Sequence, residues 1–179
     1  MRAPDFSGLY HNHMATLHTS AIGRAARCVY VTGPYFCPGS RVERALLRSA
    51  QRGVDVRLLV PRNSDPPFVG WMTRSAYCSL MKAGVRVYEY LPPRKLHAKN
   101  VAIDGQWSII GSANLDHWGL IVNHEIVLVA HDWKLGNELR DQFLQDLERS
   151  EEVQLAEWAK RGLRERLLEI IGWVARKLL

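Results

Sequence analysis

The sequence predicts an α/β protein in which helices cover a largely parallel sheet. Its 179 residues, 47% hydrophobic and 23% charged, suffice for one sizeable core and match an ordinary globular chain. Between residues 27 and 93 apolar runs alternate with helical periodicity in the order strand, helix, strand, helix, strand. After Pro93 the rhythm changes, and hairpin-like runs replace the crossovers.

Residues 10–26 carry Met14, Leu17, Ala21 and Ile22 at helical spacing, which predicts a helix. "RCVYVTG" reads as a strand ended by Gly33-Pro34. Ser40 is the expected N-cap of a helix over 41–52, with Val42, Ala45, Leu46 and Ser49 on one face and Gly53 as its stop. "VDVRLLVP" is a buried strand closed by Pro61, and "RNSDPP" a loop. A helix is expected over 68–83, stopped at Gly84, and then the strand "VRVYEYLPP". Strands follow over 96–103 and 107–110, joined by an Asp104-Gly105 turn, and over 122–130. A helix over 133–148 closes the compact part. Residues 151–179 are expected as one more helix, with Leu155, Ala159, Leu163, Leu167, Ile171, Val174 and Leu178 at spacings of three and four. This divides the chain into a domain of residues 1–150 and a basic amphipathic helix of residues 151–179.

A net charge of +6 favours anionic partners, whether nucleic acid, acidic lipid or phosphorylated substrate, without choosing among them. Cys28, Cys37 and Cys78 are odd in number and irregularly spaced, which points to thiols in a reducing compartment and away from a disulfide framework or zinc site. The first residues lack the apolar run of a signal peptide, and no stretch predicts a membrane span. Attachment to a membrane surface stays open.

The chemistry concentrates in "KLHAKNVAIDGQWSIIGSANLD", residues 95–116. On a strand, His97 and Lys99 share a face. A neutral imidazole can attack phosphorus while a fixed ammonium neutralises phosphate oxygens. A hairpin would return Gly111-Ser112-Ala113-Asn114 to the His97 end, where hydroxyl, amide and backbone donors suit phosphate. Glu125 in "NHEIVLV" is placed to orient His97 through its second ring nitrogen. Asp104 alone is a turn residue.

The joint pattern His97-x-Lys99-x4-Asp104, followed by Gly-Ser-x-Asn at 111–114, resembles the HKD motif of the phospholipase D superfamily. "YVTGPYFCPGSRVERALLRSAQRGVDVRLLVP" and "NLDHWGLIVNHEIVLVAHD" resemble the second half of bacterial cardiolipin synthases. The resemblance implies a phospholipase D-like mixed sheet flanked by helices, one half of a two-motif fold. It implies a catalytic group of His97, Lys99, Asp104 and Glu125, with Ser112 and Asn114 holding substrate phosphate. His97 would either become a phosphohistidine or protonate the leaving alcohol, and Glu125 would hold its ring. The turn position of Asp104 assigns it a structural or orienting part within that group. No metal or organic cofactor enters the scheme.

Two departures from the family pattern stand out. Gly119 occupies a place where the pattern has Ser. Only one motif is present, since His11, His13 and His18 have no Lys two residues later. The second half-site is therefore expected from a second copy in a homodimer, or from an N-terminal half of a longer enzyme of which this chain is a piece.

The resulting expectation is a cardiolipin synthase-like phosphatidyltransferase acting on a phospholipid such as phosphatidylglycerol. The basic tail, with Trp158 and Trp173, would lie on an anionic membrane surface, peripheral at the cytoplasmic face of the cell membrane, or else pack its stripe on the domain or on a second copy. Tyr35, Phe36, Trp118 and Leu120 are expected as an apolar lip for acyl chains. The alternatives are a homodimeric HKD-type endonuclease acting on nucleic acid, or an inactive half-site serving as a binding module.

Overall fold

In the computed structural model, which describes residues 13–178, helix α1 (His13–Gly23) leads into strand β1 (Cys28–Thr32) and the short β2 (Phe36–Cys37). Helix α2 (Ser40–Gln51), strand β3 (Asp55–Pro61), helices α3 (Pro67–Arg74) and α4 (Tyr77–Lys82) and strand β4 (Arg86–Tyr90) follow. Strands β5 (Asn100–Ile103), β6 (Trp107–Gly111) and β7 (Leu115–Asp116) precede a π-helical turn (Trp118–Val122) and β8 (Val127–His131). Helix α5 (Trp133–Leu147), strand β9 (Ser150–Glu152) and helices α6 (Leu155–Trp158) and α7 (Leu163–Leu178) end the chain. The helical reading of residues 10–12 lies outside the described residues.

The main sheet has seven strands in the order β8-β6-β5-β1-β3-β4-β9, and β2 pairs with β7 beside it. Only β1 with β3 and β3 with β4 are parallel; the other main-sheet pairs are antiparallel. The sheet is thus mixed, parallel at its centre where helical crossovers join β1, β3 and β4, and antiparallel toward both edges.

Alternation along the strands sorts side chains to the two faces. Val29, Val31, Val56, Leu58, Val60 and Val87 enter one core with Ile22 of α1, Leu46 of α2 and Leu80 of α4. Tyr30, Leu59, Tyr88 and Ala102 enter a second core with Phe143 of α5, where Tyr30 stacks on Phe143 at 4.8 Å between centroids. The layers are helix, sheet, helix.

Several boundaries differ from the sequence reading. α2 starts at Ser40 with Gly39 as its N-cap, one residue earlier than expected. The helix over 68–83 divides at Ser75, whose hydroxyl donates to the Met72 carbonyl at 2.7 Å and competes with continuation of the helix. The strand over 96–103 shortens to β5 because its neighbours end there: Thr32 pairs with Asn100 just before Gly33-Pro34, and Ile110 pairs with it from β6. The strand over 122–130 begins only at Val127, since the preceding apolar residues coil into the π-helical turn, closed by the Asn123 amide on the Trp118 carbonyl at 2.7 Å.

The tail differs most. Residues 150–152 are β9 on the edge of β4, so the sheet runs past residue 150. Arg86 holds this edge with two bonds to Glu152, at 2.9 and 2.7 Å. The remainder is two helices, not one, with Gly162 between them. α7 packs on α3 at Gly172, where a Cβ would meet the Trp71 carbonyl oxygen at 2.5 Å. Phe36 and Leu120 are core residues rather than an apolar lip, while Trp118 is exposed.

Candidate active site

β5 and β6 form a hairpin whose two ends do different work. At its turn, Asp104 (φ +56°) and Gly105 (φ +70°) both take left-handed backbone, which an Asp-Gly pair accepts readily. The Asp104 carboxylate turns inward and accepts the backbone amides of Ala26, Arg27 and Cys28 at 2.9, 2.7 and 2.9 Å. Burial works against its ionisation, yet these three bonds prevail and hold its carboxyl below the usual aspartate range. Asp104 therefore fastens the entry to β1. It sits at the opposite end of β5 from His97 and Lys99, and its hydrogen bonds are structural.

At the open end, Lys99 and Gly111 are joined by the Gly111 amide donating to the Lys99 carbonyl at 3.2 Å. Gly111 is required here by close approach, since a Cβ would lie 2.1 Å from the Ile126 carbonyl oxygen. Ser112 next anchors the incoming β8 chain. Its amide donates to the Ile126 carbonyl at 2.9 Å, and its hydroxyl accepts the Ile126 amide at 3.0 Å. The Ser112 hydroxyl donates to Glu125, whose other oxygen accepts from the Asn123 side chain at 3.3 Å.

His97 and Lys99 lie in the irregular segment before β5, not on a strand. The Lys99 ammonium folds back to donate to the His97 carbonyl at 3.1 Å. Burial lowers the Lys99 pKa, while the Glu125 and Asp116 carboxylates pull it upward. His97 is exposed, and its imidazole makes no hydrogen bond or ion pair among the described residues. The expected Glu125–His97 contact is not formed. Glu125 is held by Ser112 and Asn123 instead, and its charge bears on Lys99.

Asn114 sits between Ser112 and β7, with its side-chain oxygen buried and without a hydrogen bond among the described residues. Lys99, Ser112 and Glu125 are thus gathered, with Asn114 two residues past Ser112 and His97 alongside on the approach to β5.

Asp116 and His18 were not singled out as site residues in the sequence. Asp116 accepts the Gly119 amide at 2.6 Å. Burial raises its pKa, against that amide, and the Glu125 charge raises it further. An Asx residue three places before a glycine was the legible signal. His18 is buried on α1, bonded to the Met14 carbonyl at 2.8 Å, and burial lowers its pKa. With Lys99, Thr32 and Ala113 it lines a cavity of about 10 Å³ beneath the site. Its only signal was its position on the apolar stripe of the helix.

This mixed sheet, with its paired loops at one end, is the phospholipase D-like fold. The solved structure of Nuc from Salmonella typhimurium, a phospholipase D family member, matches with a TM-score of 0.67 at 17% identity, over 78% of this chain and 90% of that one. The phosphatidylserine synthase of Haemophilus influenzae matches with a TM-score of 0.74 at 14% identity, over 92% of this chain and 44% of that one.

Residues 19–147 match the family model described as cardiolipin synthase, PLD-like domain, and the chain belongs to that family. Cardiolipin synthase A of Serratia proteamaculans is 38% identical over 157 residues, which are 88% of this chain and 32% of that protein. The chain spans about a third of the length of the curated relatives it matches.

Proposed function

We propose that the chain carries one half of a phosphatidyltransferase centre of the cardiolipin synthase kind. The observation that carries this reading is the placement of His97: exposed, unengaged by other described side chains, and next to an ammonium held on its own carbonyl. In the first step an imidazole nitrogen of His97 bonds to the phosphorus of a phospholipid such as phosphatidylglycerol. The bond from phosphorus to the head-group oxygen breaks, and that oxygen takes a proton from a second imidazole. In the second step an acceptor hydroxyl gives its proton back to the second imidazole and bonds to phosphorus, the phosphorus–nitrogen bond breaks, and the electron pair returns to the ring. Lys99 and Asn114 face the phosphate oxygens, where positive charge and fixed donors favour the transferring group. Ser112 joins them when its hydroxyl turns from Glu125.

The second imidazole comes from a partner half, either another copy or the other half of a longer enzyme. The tail supports a membrane location. Among the described residues no helix is long and apolar enough to cross a membrane. α7 nevertheless exposes Leu163, Leu167, Ile170 and Trp173 beside Arg164 and Arg166, a composition suited to an anionic lipid surface at the cytoplasmic face.

The test supplies phosphatidylglycerol vesicles to the purified chain, with a competent partner half added if the chain alone is silent. Cardiolipin and glycerol are the expected products, and His97→Ala abolishes both. Rapid quench of labelled substrate leaves acid-labile label on the wild-type chain and none on the variant. Cleavage of DNA with no lipid product would assign the centre to nucleic acid instead.

A further inference from the structure

The loops leaving the carboxyl ends of β1, β3 and β4 enclose a cleft of about 320 Å³ that opens at His97. In sheets of this kind, ligands bind beyond the carboxyl ends of the parallel strands. Tyr35 lines the cleft from the first loop, Asn63, Ser64 and Asp65 from the second, and Arg94 and Lys95 from the third.

The second loop is firmly mounted. The Tyr35 hydroxyl donates to the Asp65 carbonyl. Buried Glu89 on β4 accepts from Arg62 and Arg74, each at 3.1 Å, and Arg74 also donates to the Arg62 carbonyl at 2.9 Å. The side chains of Asn63, Ser64 and Asp65, by contrast, make no hydrogen bond or ion pair with other described residues. Fixed backbone carrying unengaged polar groups is a preorganised surface for a polar ligand.

We propose that this cleft seats the alcohol of the exchange, and that Asn63, Ser64 and Asp65 select a polyol over a monohydroxy alcohol. The proposal rests on the phosphatidyltransferase reading and names the acceptor class for it. Size argues for a head group: the cleft lies at the small end of the roughly 300–1,000 Å³ of ligand sites, with no room for acyl chains. Chemistry argues for adjacent hydroxyls, because an amide, a hydroxyl and a carboxylate together offer donors and acceptors at close spacing. Charge is compatible with a polyol carried on a phosphate, since Arg94 and Lys95 line the cleft together with the Asp65 carboxylate.

A binding arm and a turnover arm test this together. The isotope-labelled full chain is titrated with glycerophosphoglycerol and, separately, with diethyl phosphate. Amide shifts at residues 63–65 are expected with the first probe only, and they disappear in the Asn63→Ala/Ser64→Ala variant. Shifts confined to residues 112–114 with both probes, or no shift at all, overturn the site. In the turnover arm, unlabelled phosphatidylglycerol vesicles receive isotope-labelled glycerol and ethanol in competition, and the variant lowers the ratio of labelled phosphatidylglycerol to phosphatidylethanol about tenfold. An unchanged ratio overturns the selection. Shifts at residues 63–65 without any lipid product, even with a competent partner half added, would support the polyol site while removing the transferase reading.

Discussion

Gly119 lies against the backbone of Asn114 so closely that a Cβ would stand 2.5 Å from its carbonyl oxygen and 2.7 Å from its nitrogen. Both neighbours are main chain and cannot swing aside. The Gly119 amide is at the same time held by Asp116 at 2.6 Å. The glycine that departs from the family pattern is therefore a packing requirement of this particular loop.

Restoring the family serine tests that requirement. Gly119→Ser is expected to displace Asn114, lower stability by about 1–3 kcal/mol, and reduce turnover more than the fall in folded fraction explains. Thermal melts paired with turnover measured well below the melting temperature check it. A variant with wild-type melting and full activity would show that the loop accommodates the side chain.

Asp104→Ala removes three amide bonds to a charged acceptor and should cost about 2–4 kcal/mol. The loss has a pH signature. The folded pKa is depressed, so the stabilisation is present above the ordinary aspartate value of about 3.9 and fades as pH falls through the lower folded value. Denaturant titrations of wild type and variant should accordingly converge under acid conditions. A constant gap at every pH would contradict the ionic account.

Glu125→Gln keeps an acceptor for the Ser112 hydroxyl but deletes a charge that raises the Lys99 pKa. Burial then acts on Lys99 with less opposition, and its pKa falls further. The alkaline limb of the pH–rate profile is expected to move to lower pH in the variant, since the ammonium loses its proton earlier. An unmoved limb would separate Glu125 from Lys99.

Gly172→Val places side-chain atoms where α7 meets the Trp71 carbonyl. We expect α7 to detach, with a loss of about 1–3 kcal/mol and early proteolytic cleavage near Gly162. Vesicle sedimentation should persist, because the exposed apolar residues of α7 remain. Loss of vesicle binding alongside detachment would mean that the docked position presents the helix to lipid.

The centre of the fold was legible because each strand there is buried on both faces and writes a continuous apolar run, as in "VDVRLLVP". The hairpin was legible from Asp104-Gly105, whose backbone few other pairs adopt. β9 was not, since Ser-Glu-Glu has no strand propensity and is held by Arg86 and by its place beside β4. The motif residues were legible as a set, but not their geometry. Glu125 reads equally as a partner of His97 or of Ser112, and only the crossing of the β8 chain over Gly111 decides for Ser112. The end of β5 at Asn100 depends on where two other strands stop, which no local pattern records.

That short strand sets a gauge between a staple and an exposed imidazole. Asp104 pins one end to the backbone of β1, and His97 projects three residues before the other. Each strand residue advances the chain by about 3.3 Å and turns the next side chain to the opposite face. Inserting or deleting one residue between Lys99 and Asp104 would carry the imidazole out of register while leaving every motif side chain in the sequence. On the proposed function, the interval matters as much as the groups it separates.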